Sequence, residues 1–537
     1  MRTFRRSPPR PRSTASAKSF PPKVSPGLDP SQPSLGPGRA LTCPPLRFIS
    51  LLPLARSLRG RTCQLIAASS SGYKPKTDYP KSGAHLRFPT KRQQVEKLQE
   101  GVAFSSGSKY NLEEYQKYAE DFRTAYLEEN GIDPSAFETQ ADLETRMEKE
   151  FWRIVETGAK QVTVDYANDL NSSKYGSGFE HDTSCAWDLT KLHLSPFSLL
   201  KEIQCEIQGV TKPWMYLGSL FTSFCWHTED HYLYSINYMH KGHGKTWYGI
   251  PSTSANKFEA AMKTFMPERF KQNPDLMYRL ITLLSPSYCL GQGVDVRHTV
   301  QREGEFVITF PNAYHGGFSH GLNCAEAVNF ALPQWLSFGA QAMEKYHKVG
   351  RKGGKRDDVF AHDQLLYHLG KKLSEIVLEN KSKLASAQGG AGSAQDKQDK
   401  LNACIRGVVI NNLPYDAKVF VRRLLQGFKK STKTELHLRK WLNQKANMRL
   451  NEKVSYPNAK PPQCWVCKCM PYFSHVQCKN HPERIACPSH AFVQCDCKGD
   501  CKGLAVVVTE KGIKSMENFI SSIDKCLSVP LPGNGAK

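Results

Sequence analysis

A dense series of short β-strand patterns, between about Val162 and Leu332, most constrains how this 537-residue chain can fold. Runs such as QVTVDYA, YSINYMH, KTWYGIP and GEFVITF alternate with turns rich in Gly, Pro and Asn, as closely spaced strands do. The segments NLEEYQKYAEDFRTAYLEE and LETRMEKEFWRIVETG, which precede this region, have apolar residues at helical spacing, and further helical segments follow it. The pattern predicts an α+β fold in which helices flank a β-rich core.

The chain is strongly basic, with a formal net charge of +23 and a pI near 9.3. A charge of this size predicts a polyanionic partner, or residence beside nucleic acid. No run reaches the roughly 18 apolar residues that a membrane-spanning helix needs. We therefore expect a protein without membrane partners.

Residues 1–82 are rich in Arg, Ser and Pro, and Asp29 and Asp78 are their only acids. This composition cannot build a core and predicts a disordered basic tail. It also fits an organellar transit peptide, with residues 46–61 as the amphipathic part. Both interpretations stay open at this point.

The stretch FCWHTEDHYLYSINYMH contains a pair of candidate metal ligands, His227 and Glu229, which would share one face of an extended strand. Such a pair alone is more often an ordinary surface pair. A third candidate is His315, which follows a strand pattern in FPNAYHGGFSHG and is flanked by glycines that allow close backbone approach. Two His and one carboxylate form the facial triad of non-haem Fe(II) oxygenases, which leaves coordination positions open. The other histidines in or near these stretches are predicted to be surface or supporting groups: His231, His240, His243 and His320.

Eight of the seventeen cysteines lie between Cys464 and Cys501. Their spacing predicts two tetrahedral zinc sites, with disulfides as the alternative. Cys469 is predicted to be a non-ligand. The first predicted set is Cys464, Cys467, Cys487 and His490, and the second is Cys478, His481, Cys495 and Cys497.

Two longer stretches, WMYLGSLFTSFCWHTEDHYLYSINYMHKGHGKTWYGIP and GEFVITFPNAYHGGFSHGLNCAEAVNFA, closely resemble the JmjC domain of histone lysine demethylases. FWRIVETGAKQVTVDYANDLNSSKYGSGF and the Cys-rich segment resemble the lysine demethylase 5 group and its plant relatives. The resemblance covers about residues 105–520. It implies a double-stranded β-helix, a cupin-like jelly roll, that uses Fe(II), 2-oxoglutarate and O2.

The resemblance also implies roles for single residues, and it assigns the iron to His227, Glu229 and His315. The charge of Lys245 has a physical reason of its own, because a cation in a dry barrel needs an anion such as a dicarboxylate. Core packing is the alternative for the aromatic residues. The implied cosubstrate residues are Tyr166, Phe224, Ser235, Asn237, Lys245, Trp247 and Asn329, and the implied substrate residues are Tyr216 and Ala327.

The Cys-rich segment is similar to the zinc finger that follows the JmjC domain in this group, with two departures. His481 stands where the group usually has Cys, and a further Cys of the group is absent. The JmjN, ARID and PHD modules of the group are not apparent, so chromatin targeting would come from the basic surface or from a partner.

Together these features predict a nuclear enzyme that removes methyl groups from lysine 4 of histone H3 by N-methyl hydroxylation and release of formaldehyde. Its expected partners are the histone H3 tail and the nucleosome, with DNA contacted through the basic surface. The alternatives are a JmjC protein hydroxylase and a catalytically silent chromatin scaffold. The predicted organisation is a tail (1–82), a helical flank (105–160), a catalytic domain (161–350), a helical region (351–450) with a linker (385–400), a zinc finger (460–503) and a C-terminal segment (504–537).

Overall fold

The computed structural model describes a large part of the chain, including turns and irregular segments as well as helices and strands. These residues are 65–69, 86–179, 187–196, 198–350, 357–387, 417–446, 450–452, 462–478, 481, 483–491, 504–508 and 510–527.

The strands of the described residues follow one another in chain order and form three sheets. They are β1 (Leu65–Ser69), β2 (Phe88–Gln94), β3 (Ser105–Tyr110), β4 (Thr163–Asn171), β5 (Trp214–Gly218), β6 (Ser223–His227), β7 (Tyr234–Gly242), β8 (Lys245–Ile250), β9 (Arg297–Gln301), β10 (Glu305–Thr309), β11 (Tyr314–Ser319), β12 (Asn323–Phe330), β13 (Leu450–Glu452), β14 (Ser474–Cys478), β15 (Ile485–Ala486) and β16 (Leu504–Val508).

The α-helices of the described residues lie before, between and after these strands. They are α1 (Leu112–Glu129), α2 (Gln140–Thr157), α3 (Ser172–Tyr175), α4 (Ala255–Phe265), α5 (Pro267–Gln272), α6 (Pro286–Gly291), α7 (Leu336–Gly350), α8 (His362–Ala387), α9 (Ala417–Ala446) and α10 (Glu510–Leu527).

Helices α1 and α2, both predicted from apolar spacing, begin at residues suited to cap a helix. Asn111 and Glu114 form a capping box at the start of α1, and Thr139 and Asp142 form another at the start of α2. Each box satisfies backbone N–H groups that have no partner within the helix. Gly158, in the left-handed conformation (φ 63°), ends α2.

The β-rich core consists of two antiparallel sheets. The larger sheet has the order β1-β10-β7-β12-β5-β4-β2-β3, and the smaller has the order β6-β11-β8-β9. Neighbouring strands are often distant in the chain, as expected of a jelly roll. This arrangement confirms the predicted cupin-like α+β fold.

The outer face of each sheet packs against an apolar core of its own. Tyr238 and Phe306 of the larger sheet pack with Trp335 and with buried residues of α8 and α9. Tyr248 and Phe318 of the smaller sheet pack with Phe151 of α2 and with residues of α4. Because the outer faces carry the cores, the inner faces are left to form a site between the sheets.

A third sheet has the order β13-β16-β14-β15 and adjoins the Cys-rich segment. Met470 and Phe473, which lie just before β14, belong to the same apolar core as α8 and α9. The zinc-finger region is therefore packed against the helices that follow the catalytic core. None of the helices in the described residues is long and apolar enough to cross a membrane.

The structure differs from the sequence prediction near the N-terminus. Residues 65–69, within the predicted tail, form β1 and pair antiparallel with β10. The rest of that tail, and linker residues 388–400, lie outside the described residues. Strand β2 lies where the sequence carried no prediction, whereas β3 forms the start of the segment predicted as a helical flank (105–160), and together they extend the larger sheet beyond β4.

Candidate active site and metal centres

The three predicted iron ligands come together between the two sheets. His227 is the last residue of β6, and its register partner across the strand pair is His315 of β11. Glu229 lies two residues beyond the end of β6 in an extended conformation (φ −63°, ψ 156°). His315 follows β10, as predicted, and is the second residue of a further strand, β11.

The donor atoms of the three side chains all lie within 4.8 Å of one another. Nε2 of His315 is 3.2 Å from Oε1 of Glu229, and Nε2 of His227 is 4.0 Å from the same oxygen. Ligand atoms about 2.1 Å from one cation and at right angles to each other would be roughly 3 Å apart. The chemistry and spacing of this donor set therefore fit a single divalent cation, such as Fe(II).

Backbone carbonyls fix the tautomer of both histidines. Nδ1 of His227 lies 2.7 Å from the carbonyl oxygen of Cys225, and Nδ1 of His315 lies 3.1 Å from that of Ala313. A carbonyl oxygen can only accept, so each Nδ1 must carry the hydrogen. The Nε2 lone pairs are left to bind a metal.

The carboxylate of Glu229 is oriented by Asn329 of β12, whose Nδ2 donates a 2.9 Å hydrogen bond to Oε2. Burial by itself would raise the pKa of Glu229, but the adjacent imidazoles of His315 and His227 and the hydrogen bond from Asn329 together lower it. The carboxylate is thus held in its anionic form, which is the form that binds a metal.

A cavity of about 370 Å³ opens beside the triad. Both sheets contribute to it, which explains why residues far apart in the sequence meet there. Predicted residues in its lining are Tyr166, Tyr216, Phe224, His227, Glu229, Ser235, Asn237, Lys245, Trp247, His315 and Ala327. Residues of the lining that the sequence did not identify include Lys91, Gln93, Ala103, Phe104, Asn168, Asp169, Arg279, Leu280 and Ile281.

Lys245, the first residue of β8, places a buried cation in this cavity. Its side chain is 2% exposed, and its Nζ lies 6.0 Å from the ring centroid of Tyr216 and 5.8 Å from that of Phe224. Burial lowers the pKa of Lys245 to about 8. Among the described residues no carboxylate pairs with it within 4.0 Å. A buried ammonium group without a counter-ion is costly, so the cavity is suited to an anionic ligand.

Gln301, which sequence reasoning missed, supports two cavity residues from behind. Its Oε1 accepts a 2.9 Å hydrogen bond from Nε1 of Trp247, and its Nε2 donates a 3.1 Å hydrogen bond to Oδ1 of Asn237. Trp247 also contacts Phe224 edge-on, at 4.5 Å between ring centroids. These contacts fix the cavity wall next to His315.

Gly317 allows the backbones of β8 and β11 to approach closely beside the triad. A Cβ atom at this position would lie 1.9 Å from the carbonyl oxygen of Thr246 and 2.8 Å from the ring of Phe224. This finding agrees with the predicted need for glycine after His315.

Asp169 lies at the rim of the cavity, on a bulge that interrupts the pairing of β4 with β5. Its backbone is left-handed (φ 56°), which Asp tolerates better than most residues. Its carboxylate accepts hydrogen bonds from Lys91 (3.1 Å) and Asn168 (2.7 Å). Burial, and secondarily the charge of Asp169, raise the pKa of Tyr216. A carboxylate therefore lies beside the aromatic wall of the cavity.

Several other predicted residues are placed differently from expectation. Asn329 was predicted to line the cavity, but the structure places it behind Glu229. His231, His240 and His320 were predicted to be surface or supporting groups, and their exposures of 0%, 1% and 3% exclude the surface alternative. His231 stacks on Phe360 at 4.1 Å between centroids, which shows that it packs in the core.

The first predicted zinc set is also brought together. The ligand atoms of Cys464, Cys467, Cys487 and His490 lie within 4.8 Å of one another, and all four residues are buried. Sγ of Cys467 and Sγ of Cys487 are 3.9 Å apart. A tetrahedron with zinc–sulfur bonds of about 2.3 Å has edges of roughly 3.8 Å, so this set fits zinc. The described cysteines are free thiols, which argues against disulfides.

Cys469 lies close to this set, since its Sγ is 3.3 Å from Sγ of Cys467. It is nevertheless outside the group of four whose ligand atoms converge. Of the second predicted set, Cys495, Cys497 and the side chain of Cys478 lie outside the described residues. His481 is described and half-buried.

Comparison with known proteins agrees with this geometry. Residues 214–330 match the family model described as "JmjC domain, hydroxylase", and residues 464–516 match the one described as "C5HC2 zinc finger".

The chain is 34% identical over 423 residues to putative lysine-specific demethylase JMJ16 of Arabidopsis thaliana, covering 74% of this chain and 32% of that protein. It is 34% identical to lysine-specific demethylase 5B of Gallus gallus (75% of this chain, 24% of that protein) and 41% identical to lysine-specific demethylase 5D of Homo sapiens (48% and 17%). The chain spans a third or less of the length of these relatives.

Proposed function

We propose that this chain, which has a JmjC domain and a C5HC2 zinc finger and is homologous to lysine-specific demethylases, is an Fe(II)- and 2-oxoglutarate-dependent histone lysine demethylase. The observation that carries the proposal is that one cavity holds both the His227, Glu229 and His315 triad and the buried ammonium group of Lys245. The triad accounts for a metal, and the ammonium group accounts for an anionic cosubstrate.

His227, Glu229 and His315 would hold the iron, which would supply oxidation chemistry in which 2-oxoglutarate and O2 give succinate and CO2 while the second oxygen atom enters an N-methyl C–H bond. The resulting N-hydroxymethyl group loses formaldehyde and leaves an amine with one methyl group fewer. No lone pair on the nitrogen is needed, so trimethyllysine is an allowed substrate.

In this proposal Lys245 and Tyr166 hold the distal carboxylate of 2-oxoglutarate. Lys245 offers the charge, and the hydroxyl of Tyr166 stays protonated because burial raises its pKa. Asn237 and Ser235, on the same face of β7, offer further polar atoms to the cavity. The surrounding aromatic residues, Phe224 and Trp247, exclude water from the reacting atoms.

The methylated lysine would enter past Tyr216 and Ala327. Tyr216 presents an aromatic face, which attracts a quaternary ammonium group without needing a hydrogen bond from it. Ala327 lies on β12 opposite Asn237, and its small side chain leaves space for three methyl groups. Asp169 adds a negative charge at the rim.

We further propose lysine 4 of histone H3 as the target, the H3 tail and nucleosome as partners, and the nucleus as the location. The names of the relatives, which are lysine-specific demethylases, support a lysine substrate. The net charge of +23 would favour encounter with chromatin. In the same proposal two zinc ions stabilise the Cys-rich region, the first on Cys464, Cys467, Cys487 and His490.

Mass spectrometry of methylated histone peptides tests the function. The chain is incubated with Fe(II), ascorbate and 2-oxoglutarate, and initial rates are compared on H3 peptides trimethylated at lysine 4, 9, 27 or 36. Loss of mass in methyl steps, fastest on lysine 4, is expected. A stable gain of one oxygen would instead identify a hydroxylase, and a preference for another lysine would refute the lysine 4 assignment alone. A His227→Ala variant is the control for metal-dependent turnover.

A further inference from the structure

Helix α9 has an unusual charge distribution that the proposed chemistry does not use. Its 30 residues include nine Lys or Arg and a single acid, Glu435. Glu435 is buried (8% exposed), where it accepts hydrogen bonds from Arg439 and Ser474. The exposed face of α9 therefore has no carboxylate of its own.

Four cations align on this exposed face. They recur at spacings of seven, four and seven residues, which at 3.6 residues per turn places them within about 40° of one another around the helix axis. The first and last are separated by a rise of about 27 Å. We call them the α9 basic stripe: Arg422, Lys429, Lys433 and Lys440. The opposite face is buried in the apolar core through Phe420, Leu424 and Phe428.

Neighbouring carboxylates neutralise this stripe only in part. Lys429 pairs with Asp524 of α10 at 2.6 Å, with side chains 52% and 46% exposed. An exposed pair of this kind is weak and can exchange its anion. No described carboxylate pairs within 4.0 Å with Arg422, Lys433 or Lys440. At least three cations of the stripe are available to an external polyanion.

We propose that the α9 basic stripe binds the sugar–phosphate backbone of duplex DNA. Duplex DNA carries one charge per about 1.7 Å of its axis, so a straight line of cations meets phosphates along its whole length. A single strand is a poorer match, because none of the exposed residues of α9 is Phe, Tyr or Trp, on which bases would stack. A membrane surface is also a poorer match, since Leu436 is the one large apolar residue exposed among the described residues of α9.

Helix α9, which carries the stripe, is joined to the catalytic core by hydrogen bonds and by a shared apolar core. Arg423, on the side of α9, donates hydrogen bonds to the carbonyl oxygen of Gln334 and to Oγ of Ser337 (3.3 Å). These residues directly follow β12, which carries Ala327 and Asn329. DNA bound to the stripe would be held in a fixed relation to the cavity. Lys and Arg contacts to phosphate position a protein but do not read sequence.

The experiment measures binding of the full chain to a random-sequence duplex of about 30 base pairs by fluorescence anisotropy, between about 50 and 200 mM salt. The test variant is Arg422→Gln/Lys433→Gln/Lys440→Gln. Gln keeps helix propensity at these exposed positions, and circular dichroism checks that α9 is intact. The matched control is Lys257→Gln/Lys263→Gln/Lys271→Gln, which removes the same charge from exposed positions of α4 and α5.

The proposal expects the slope of log affinity against log salt to fall by about 2.7 in the test variant, since each lost phosphate contact contributes about 0.9. Affinity should fall more than tenfold, while the control variant changes little. Equal losses in both variants, or no loss in the test variant, would overturn the proposal. The proposal would also be overturned if the test variant kept its affinity for DNA and lost binding only to anionic vesicles or to polyglutamate. The measurement needs neither Fe(II) nor 2-oxoglutarate, so it is independent of demethylase activity.

Discussion

The side-chain amide of Asn329 donates a 2.9 Å hydrogen bond to Oε2 of Glu229, while Oε1 of the same carboxylate faces Nε2 of His315 at 3.2 Å. The two oxygens of Glu229 thus have separate partners, one structural and one in the metal site. A carboxylate oriented in this way needs no rearrangement to bind a metal.

Asn329→Ala is expected to weaken metal binding, because it leaves Oε2 of Glu229 without its donor and the carboxylate free to turn. Loss of such a supporting contact typically costs roughly 10- to 100-fold in metal affinity. Titration of the protein with Mn(II) or Fe(II) measures this metal affinity. Asn237→Ala, in the same cavity but without a described contact to Glu229, is the control and should alter 2-oxoglutarate binding more than metal binding. Equal metal affinity in Asn329→Ala and wild type would contradict the positioning role.

The affinity for 2-oxoglutarate should fall as the pH rises through about 8. Burial lowers the pKa of Lys245 to about 8 in the free protein. The dicarboxylate binds the protonated lysine, so above that pH binding must take up a proton and affinity falls by up to about tenfold per pH unit. Below pH 8 the lysine is already charged and the affinity should be flat. Anaerobic calorimetry of the Mn(II)-loaded protein measures the profile.

Two variants check that Lys245 causes this profile. Lys245→Met should bind 2-oxoglutarate weakly and without the dependence above pH 8. Lys241→Met changes an exposed lysine of β7 and should behave as wild type. A profile that survives in Lys245→Met would assign the titration to another group.

The β-rich core with flanking helices and the triad could be predicted because their signals are local or periodic, whereas the cupin-like jelly roll was implied by the resemblance to JmjC domains. Strands alternate their faces, so His227 and Glu229 were expected on one side, and the glycines after His315 indicated close backbone approach. The structure brings the three together, although Glu229 lies just beyond its strand. The cupin-like fold is confirmed.

The supporting residues could not be predicted, because their roles depend on strand register and tertiary packing. Gln301 supports Trp247 and Asn237 only because β9 pairs with β8 and its side chain reaches across to β7. Lys91 reaches the rim because β2 pairs with β4, and nothing in the segment around it indicates this. The sequence contained one weak indication of the bulge at Asp169. Asn168 and Asp169 are of residue types that tolerate a left-handed backbone.

Gly317→Ala is expected to destabilise the core, because its Cβ would lie 1.9 Å from the carbonyl oxygen of Thr246. Overpacking of this kind costs about 1 to 3 kcal/mol, more where the obstacle is backbone. Thermal unfolding followed by circular dichroism measures the loss. Gly291→Ala is the matched control, since nothing lies within 4 Å of a Cβ at that position. Similar melting temperatures for the two variants would refute the packing argument.

Cys487→Ala should lower the zinc content by one ion per chain, because it removes a member of the converging set of four. Cys469→Ala should leave the zinc content unchanged, although Sγ of Cys469 is only 3.3 Å from Sγ of Cys467. Elemental analysis of protein purified without chelator measures both. The first variant should also unfold at lower temperature, since structural zinc contributes on the order of 10 kcal/mol to folding. Zinc loss in the Cys469 variant would show that Cys469 is a ligand.

Asp169 and Lys91 should affect substrate binding in opposite directions. They form a 3.1 Å ion pair at the rim of the cavity, with side chains 44% and 50% exposed, respectively. The carboxylate would attract the methylated ammonium group, whereas Lys91 competes for the carboxylate and repels the substrate. Asp169→Asn should therefore raise KM for a trimethylated peptide about fivefold, which corresponds to about 1 kcal/mol. Lys91→Met should lower KM, because it frees the carboxylate.

Both effects should shrink at high salt, since the pair is exposed. KM for 2-oxoglutarate, measured in parallel, should stay constant in both variants. Parallel changes in the two KM values would show that the variants distort the cavity rather than change its charge.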